Sequence, residues 1–337
     1  MESQSKHGRP ARQGSVVQVA AGKSGDQRFI GVDVGGTKIL AGVVAEDGTV
    51  VDVLRASTPG RSDAPEVVER ALVEGVTTLR QEHDVTAIGV GAAGFVGLDG
   101  RVRFAPHVSW RDEPFAAKLT DRLGISVVVD NDANVTALAE LRYGAAAGRR
   151  EVLVLTLGTG IGGAVVMGGA VRRGAQGLAG EFGHLQVVPQ GRLCPCGHRG
   201  CWEQYASGTA LVRAAREAGA PEDVTGPEVT AAAGTGTSWA EAAFAEVGRW
   251  LGVGLAGLVA GLDPELVVIG GGLSAAGDLL LDPTRAALAD RLPGRRYRTV
   301  PPVVVAACGP EAGMIGAATL ARESMGQVGG TVGGSSA

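Results

Sequence analysis

The sequence predicts two α/β domains, and three observations carry that reading. The chain has 337 residues, enough for about two domains. A strand, glycine-turn, strand module near its start returns about 120 residues later. After each copy, apolar residues alternate between strand and helix spacing, the pattern of a mixed sheet covered by helices. Hydrophobic residues make up 45% of the chain, so a core can be buried despite 55 glycines, which belong in turns and at close backbone approaches.

Residues 1–27 are rich in Ser, Gln, Gly and charge without an apolar period, and read as a disordered tail. Gly22, Lys23 and Ser24 resemble the end of a Walker A loop, but Val17 stands where its first glycine belongs. A first α/β domain is predicted over residues 28–142. Residues 29–34 form a strand into Gly35 and Gly36, and residues 39–44 form the returning strand. Asp63 is placed to cap a helix carrying Val67, Val68, Ala71, Leu72 and Leu79. A strand at 87–90, a helix at 113–123 and a strand at 126–129 follow.

The second domain is predicted over residues 143–310. It opens with the repeated module, strands at 152–157 and 164–167 around Gly158, Gly160, Gly162 and Gly163. Helices are expected at 208–218, 238–261 and 283–292, and strands at 266–269 and 303–307. A helix over 311–325 is expected to return to the first domain, and residues 326–337 read as a flexible tail.

Charge narrows the function classes. Lys and Arg total 31 against 35 Asp and Glu, a net charge of -4, which offers no general attraction for nucleic acid. No basic start joined to an apolar run marks a secretory segment, so a cytoplasmic protein is expected. Two uncharged stretches test the membrane reading. Residues 152–171 carry six glycines in a hairpin pattern, and residues 250–262 are too short to span.

Four glycine clusters invite a phosphate: Gly35-Gly36-Thr37-Lys38, residues 158–163, Gly270-Gly271-Gly272, and residues 313–316. Glycine lets backbone N–H groups approach an anion without a Cβ in the way, although a plain hairpin turn explains any single cluster equally well. Gly158 to Gly163 formally fits the dinucleotide fingerprint, but the strand-like Ala164-Val165-Val166-Met167 follows where a helix should begin. Asp33, two residues before the first glycine pair, suits either a phosphate-bound metal or a turn cap. Thr37 and Lys38 add a hydroxyl and a charge suited to phosphate oxygens. Asp130-Asn131-Asp132-Ala133-Asn134 lies at a strand end, where α/β sheets bind ligands. One carboxylate there can act as a general base beside hydrogen-bonding amides, while N-capping accounts for one or two of these residues and not all four.

Cys194, Cys196 and Cys201 lie within eight residues, with His184 ten residues upstream. Three thiolates and one imidazole are the ligand set of a closed structural zinc site, and three cysteines cannot all pair as disulfides. His198 is a competing ligand that spacing leaves open. Cys308 reads as a core residue of an apolar strand.

Taken together, Asp33-Val-Gly-Gly-Thr-Lys38, Asn131-Asp-Ala-Asn134, Leu157-Gly-Thr-Gly-Ile-Gly-Gly163, Gly180-Glu-Phe-Gly-His184 and Cys194-Pro-Cys-Gly-His-Arg-Gly-Cys-Trp-Glu203 resemble the ROK family of sugar kinases and repressors, over residues 29–322. The resemblance implies a two-domain actin-like, ribonuclease-H-like ATPase fold with an inserted zinc knuckle. It also implies phosphoryl transfer from ATP, with Mg²⁺, to a hexose hydroxyl. On matching positions, Asp132 is the implied base, and Asn131, Glu181, His184 and Glu203 hold the sugar. Asp33, Gly35, Gly36, Thr37, Lys38, Thr159, Gly160, Gly270, Gly271 and Gly272 hold Mg-ATP. His184 would serve zinc and sugar with one ring nitrogen each, and a homodimer or homotetramer is implied.

Two departures bear on the sugar. Many members carry Pro-Gly where this chain reads Gly91-Ala-Ala-Gly94, and Pro-Asn where it reads Pro106-His107. The Ala-Ala-Gly form resembles the actinobacterial-type glucokinases within the family, which makes glucose the expected substrate and Gly94 and His107 further sugar contacts. Kinases for fructose, mannose or an N-acylmannosamine share the catalytic residues. A polyphosphate donor would favour a more basic site. A sugar-responsive regulator needs a DNA-reading domain, for which 27 leading residues are too few.

Overall fold

The computed structural model describes residues 27–36, 38–59, 63–105 and 110–328. They divide into two compact units, one of residues 27–139, 175–178 and 311–328, the other of residues 140–174 and 179–310.

The first unit opens with β1 (Arg28–Val34), β2 (Lys38–Ala45) and β3 (Val50–Ser57), followed by α1 (Pro65–Glu82) and β4 (Ala87–Ala92). Three short strands, β5 (Phe95–Val96), β6 (Val102–Phe104) and β7 (Arg111–Glu113), form a separate small sheet. Then come α2 (Phe115–Leu123), β8 (Val127–Asn131) and α3 (Asp132–Tyr143). The main sheet has the order β3-β2-β1-β4-β8. β1 pairs antiparallel with β2 and parallel with β4, and β8 runs parallel to β4.

The second unit repeats the plan. β9 (Val152–Leu157), β10 (Ile161–Met167) and β11 (Ala170–Arg172) form a meander, followed by α4 (Glu203–Ala206), α5 (Gly208–Glu217), α6 (Gly226–Gly234) and α7 (Ser238–Leu262). β12 (Leu266–Gly270), α8 (Asp278–Arg291) and β13 (Val303–Val305) complete the order β11-β10-β9-β12-β13, with the same pairing senses as in the first sheet. The register repeats too: Asp33 on β1 faces Gly91 on β4, and Thr156 on β9 faces Gly270 on β12.

The period of two in β1 and β4 decides what each face receives. Ile30, Val32, Ile88 and Val90 pack with Val68, Leu72, Val76 and Leu79 of α1. The intervening Gly31 and Gly89 admit α9 (Ala312–Val328), which lies on β1 and β4. A Cβ on Gly31 would come within 1.9 Å of the Met314 carbonyl oxygen, and one on Gly89 within 1.8 Å of the Ala317 oxygen. In the second unit Leu153, Leu155, Val267 and Ile269 pack with Phe244, Val247, Leu251 and Leu255 of α7. By length and composition α7 could cross a membrane, but 56% of its most apolar window is buried inside the protein. It is a core helix, and Trp202 donates its indole N–H to the Trp250 carbonyl on it at 2.8 Å.

Several expected boundaries move. α1 has Ala64 at its N-cap without a side-chain bond and starts on Pro65, so proline rather than Asp63 sets the start. α2 begins at Phe115, after Pro114, and ends at Gly124 with φ 62°. α8 starts at Asp278, with Pro283 inside it instead of opening it. Residues 326–328 continue α9 instead of opening a tail, while the other expected tail residues, 1–26 and 329–337, lie outside the described residues. Cys308 follows β13 and is only partly buried, so it is not a core strand residue. Its N–H donates to the buried Glu140 at 2.7 Å, beside the N–H groups of Ala307 at 3.0 Å and Ala145 at 2.8 Å.

Candidate functional site

In the first unit, the parallel strands β1, β4 and β8 bring Asp33, Gly91 and Asp130 onto one rung at their C-terminal ends. Asp132 follows as the first residue of α3. Burial pushes its carboxyl up to about 7, the negative charge of Asp33 adds to this, and the Ala133 N–H pulls the other way. Burial likewise pushes Asp33 up to about 6, against the pull of the Lys38 ammonium. Two interacting carboxyls therefore titrate close to neutrality in one unit.

The residues around Asp132 lock its junction. The Asn131 side-chain oxygen accepts from the N–H groups of Ala133 at 2.9 Å and Asn134 at 3.2 Å, which makes Asn131 the N-cap. Its amide nitrogen donates to the Gly94 carbonyl at 3.0 Å. Asn134 donates to Asp130 Oδ1 at 2.9 Å, and the Asn131 N–H donates to that oxygen at 2.8 Å. Asp132 Oδ1 accepts from Ala133 N–H at 3.0 Å, whereas Oδ2 accepts no hydrogen bond among the described residues. Capping, one of the two readings of this segment, thus falls to Asn131, and Asp132 keeps an oxygen for chemistry. Gly94 has φ 145°, and a Cβ there would lie 2.4 Å from the Phe104 carbonyl oxygen, so only glycine fits.

At the β1–β2 turn the Gly35 N–H donates to the Lys38 carbonyl at 3.0 Å, and the Thr58 hydroxyl donates to the Gly35 carbonyl at 2.7 Å. Gly36 and Lys38 are exposed there. Thr37 and His107 lie outside the described residues.

In the second unit, the turn between β9 and β10 exposes Gly158 and Thr159, with Gly160 partly buried. Beside it Gly270 ends β12, and Gly271, at φ 81°, approaches Leu157 so closely that a Cβ would lie 2.5 Å from its carbonyl oxygen. Gly272 opens a short 3₁₀ turn, Gly272–Ala276. Parallel pairing of β9 with β12 thus brings two of the predicted glycine turns side by side. The fourth cluster is different. Gly313 and Gly316 lie within α9, where a Cβ on Gly316 would come within 1.7 Å of the Val135 carbonyl oxygen, so these glycines serve helix packing and not a phosphate turn.

Glu181 and His184 flank and end a 3₁₀ turn, Phe182–His184, that lies on β10. His184 Nδ1 is 3.8 Å from the Cys194 sulfur, and the Cys196 and Cys201 sulfurs are 3.6 Å apart. One donor atom from each of the four residues falls within 4.8 Å of the others, and His198 is not among them. Zinc–sulfur bonds of about 2.3 Å in a tetrahedron separate sulfurs by roughly 3.8 Å, so this donor set fits zinc. Burial pushes the Cys194 and Cys201 thiols up, and a bound cation would reverse that by stabilising the thiolates. Glu203 connects the knuckle to the glycine turn. Its Oε1 is 3.0 Å from the Cys194 sulfur, and its Oε2 lies 2.5 Å from where a Cβ on Gly160 would stand.

Sequence reasoning missed the residues behind this turn. The Gly208 N–H donates to the Gly158 carbonyl at 2.8 Å, and the Thr209 hydroxyl donates to the Thr159 carbonyl at 2.7 Å. Ser207, the N-cap of α5, accepts from the Ala210 N–H at 3.2 Å and was the one local signal near them.

Comparison with known proteins agrees with this arrangement. The ROK family model matches residues 29–324. A glucokinase of Streptomyces coelicolor is 44% identical over 311 residues, which cover 87% of this chain and 97% of that protein. The crystal structure of a ROK family glucokinase from Streptomyces griseus in complex with glucose and AMPPNP is 43% identical, with a TM-score of 0.82 over 88% of this chain and 99% of that one. A ROK hexokinase from Thermus thermophilus is 37% identical, with a TM-score of 0.74 over 89% of this chain and all of that one.

Proposed function

Since the chain belongs to the ROK family, we propose that it is an ATP-dependent glucokinase, transferring the γ-phosphoryl group to the 6-hydroxyl of glucose and releasing ADP and glucose 6-phosphate. The observation that carries the mechanism is Asp132, a carboxyl that burial and Asp33 hold at about 7 while its Oδ2 is left without a hydrogen bond among the described residues. A base poised near the working pH both ionises and accepts a proton readily. Asp132 orients the 6-hydroxyl, takes its proton as the oxygen attacks phosphorus, and is fixed in place by the Asn131 cap and the Asp130–Asn134 bond.

Asn131, Glu181, His184, Glu203, Gly94 and His107 would hold the sugar. His184 Nδ1 lies 3.8 Å from the Cys194 sulfur, which supports a role in which Nδ1 serves the metal and Nε2 the sugar. Asp33, Gly35, Gly36, Thr37, Lys38, Thr159, Gly160, Gly270, Gly271 and Gly272 would hold the nucleotide, mostly by backbone N–H groups. Asp33 suits Mg²⁺ held through water, because burial pushes its carboxyl up to about 6 and the Lys38 charge offsets that only in part. When bound, Mg²⁺ spreads the negative charge of the phosphates. His184, Cys194, Cys196 and Cys201 would hold a structural Zn²⁺. This reading places the enzyme in a reducing cytoplasm as a homodimer or homotetramer.

The test is ADP release by zinc-replete protein with Mg-ATP and equal concentrations of glucose, mannose, fructose or N-acetylmannosamine. Glucose should give the highest turnover. Preference for another hexose would move the substrate and keep the chemistry, and silence with every sugar would overturn the kinase reading.

A further inference from the structure

The two hydrogen bonds behind the β9–β10 turn have a directional consequence. In a planar trans peptide the carbonyl and the following N–H point opposite ways, and no cis peptide occurs among the described residues. The Gly158 carbonyl shares its peptide with the Thr159 N–H, and the Thr159 carbonyl shares its peptide with the Gly160 N–H. Both carbonyls are drawn toward the start of α5, by the Gly208 N–H at 2.8 Å and the Thr209 hydroxyl at 2.7 Å. Both N–H groups therefore point away from α5, and among the described residues neither donates a hydrogen bond. The third peptide is tied within the turn, where the Gly158 N–H donates to the Gly160 carbonyl at 3.1 Å.

We propose that Thr209 is a positioning residue for the nucleotide phosphates, aiming the Gly160 N–H through the Thr159 carbonyl. A threonine hydroxyl has one proton, and here it goes to a carbonyl, so Thr209 is not itself a phosphate donor. Gly208 supports the neighbouring peptide by its backbone N–H, and it has no side-chain donor to delete. Thr209 is thus the half of the support that a substitution can delete. Its exposure means that water can replace part of the lost bond, so the effect is graded and not all-or-none.

This inference rests on reading Thr159 and Gly160 as nucleotide-binding. Mg-ATP affinity of the full chain without sugar is measured by titration calorimetry for the parent, Thr209→Val and Thr209→Ser, alongside both Michaelis constants and the thermal midpoint. Thr209→Val keeps the shape and loses the donor, and should weaken Mg-ATP binding and raise its KM by about threefold to tenfold. The KM for glucose and the thermal midpoint should stay at parental values, and Thr209→Ser should restore affinity. Parental affinity in Thr209→Val, failure of the serine to rescue, or an equal rise in both KM values would overturn the proposal. A parent chain that does not bind Mg-ATP would instead overturn the reading beneath it.

Discussion

The Glu203 carboxylate spans the space above Gly160, with one oxygen 3.0 Å from the Cys194 sulfur and the other 2.5 Å from the position of a Cβ on Gly160. Glycine at this point is what lets an acidic side chain of the knuckle lie against the glycine turn. A methyl group on Gly160 would displace the flexible end of Glu203 and leave the backbone in place. Gly160→Ala is expected to keep the thermal midpoint within about a degree and raise the KM for glucose by about tenfold or more, because small misplacements of a binding group are costly. Steady-state kinetics beside a melting curve check both halves.

Asp132→Asn should lower kcat by about 10³-fold with glucose binding retained, the usual scale for removing a general base. It should also stabilise the fold at pH 8. The Asp132 carboxyl lies at about 7 in the folded chain against an ordinary value of 3.8, so the folded state binds the extra proton between those values. Stability therefore falls as pH rises through that window, and the amide removes the penalty. Each ~1 kcal/mol recovered shows as a rise of about 2–4 °C in the thermal midpoint.

The same carboxyl sets a pH dependence. As the proposed base, Asp132 accepts the hydroxyl proton only when ionised, so kcat/KM for glucose should climb from pH 5.5 and level off above about 8, with its midpoint near 7. The Asp33 carboxyl, at about 6, titrates in the same range, so the two act as a coupled pair. Rates across a buffer series at constant ionic strength give the profile. An activity that falls with rising pH over that range would contradict the assignment.

Cys201→Ser removes one of the two buried sulfurs of the knuckle. It should abolish the zinc binding proposed for this donor set, read by metal analysis, and lower the unfolding free energy of the zinc-loaded chain by at least ~3 kcal/mol. Glu203 would lose its fixed neighbour, so residual folded protein should bind glucose poorly.

Gly89→Ala tests the packing of α9. The added methyl would fall 1.8 Å from the Ala317 carbonyl oxygen, which belongs to a helix backbone and cannot rotate aside. A loss of about 3 kcal/mol is expected in denaturant unfolding, at the upper end for overpacking a tight contact.

Much of this was legible locally. The turn at Gly35–Lys38, the cluster at Asp130–Asn134 and the spacing of Cys194, Cys196 and Cys201 are signalled by neighbours in the chain, and all of them take part in the arrangements described. Features decided by tertiary contact were not legible. The strands β5, β6 and β7 are two or three residues long, too short for a period to emerge. Glycines 313 and 316 fall in a helix the sequence predicts, but their packing role is not legible there: they are spaced to let α9 approach Asp33 and Val135. The start of α8 was hidden by Pro283, which the helix accommodates in its interior. Thr209 carries no motif of its own, and its role is set by a carbonyl fifty positions away in the chain.

The shared register of the two sheets places Asp33 and Thr156 at equivalent points of one architecture laid down twice. One copy carries an acid at that point and the other a neutral hydroxyl. A polyanion can meet the neutral strand ends directly, whereas the acidic ones repel it until a counter-charge intervenes. On the proposed reading, dependence on a divalent cation falls to a single copy of the repeat, and the symmetry of the backbone conceals a division of electrostatic labour.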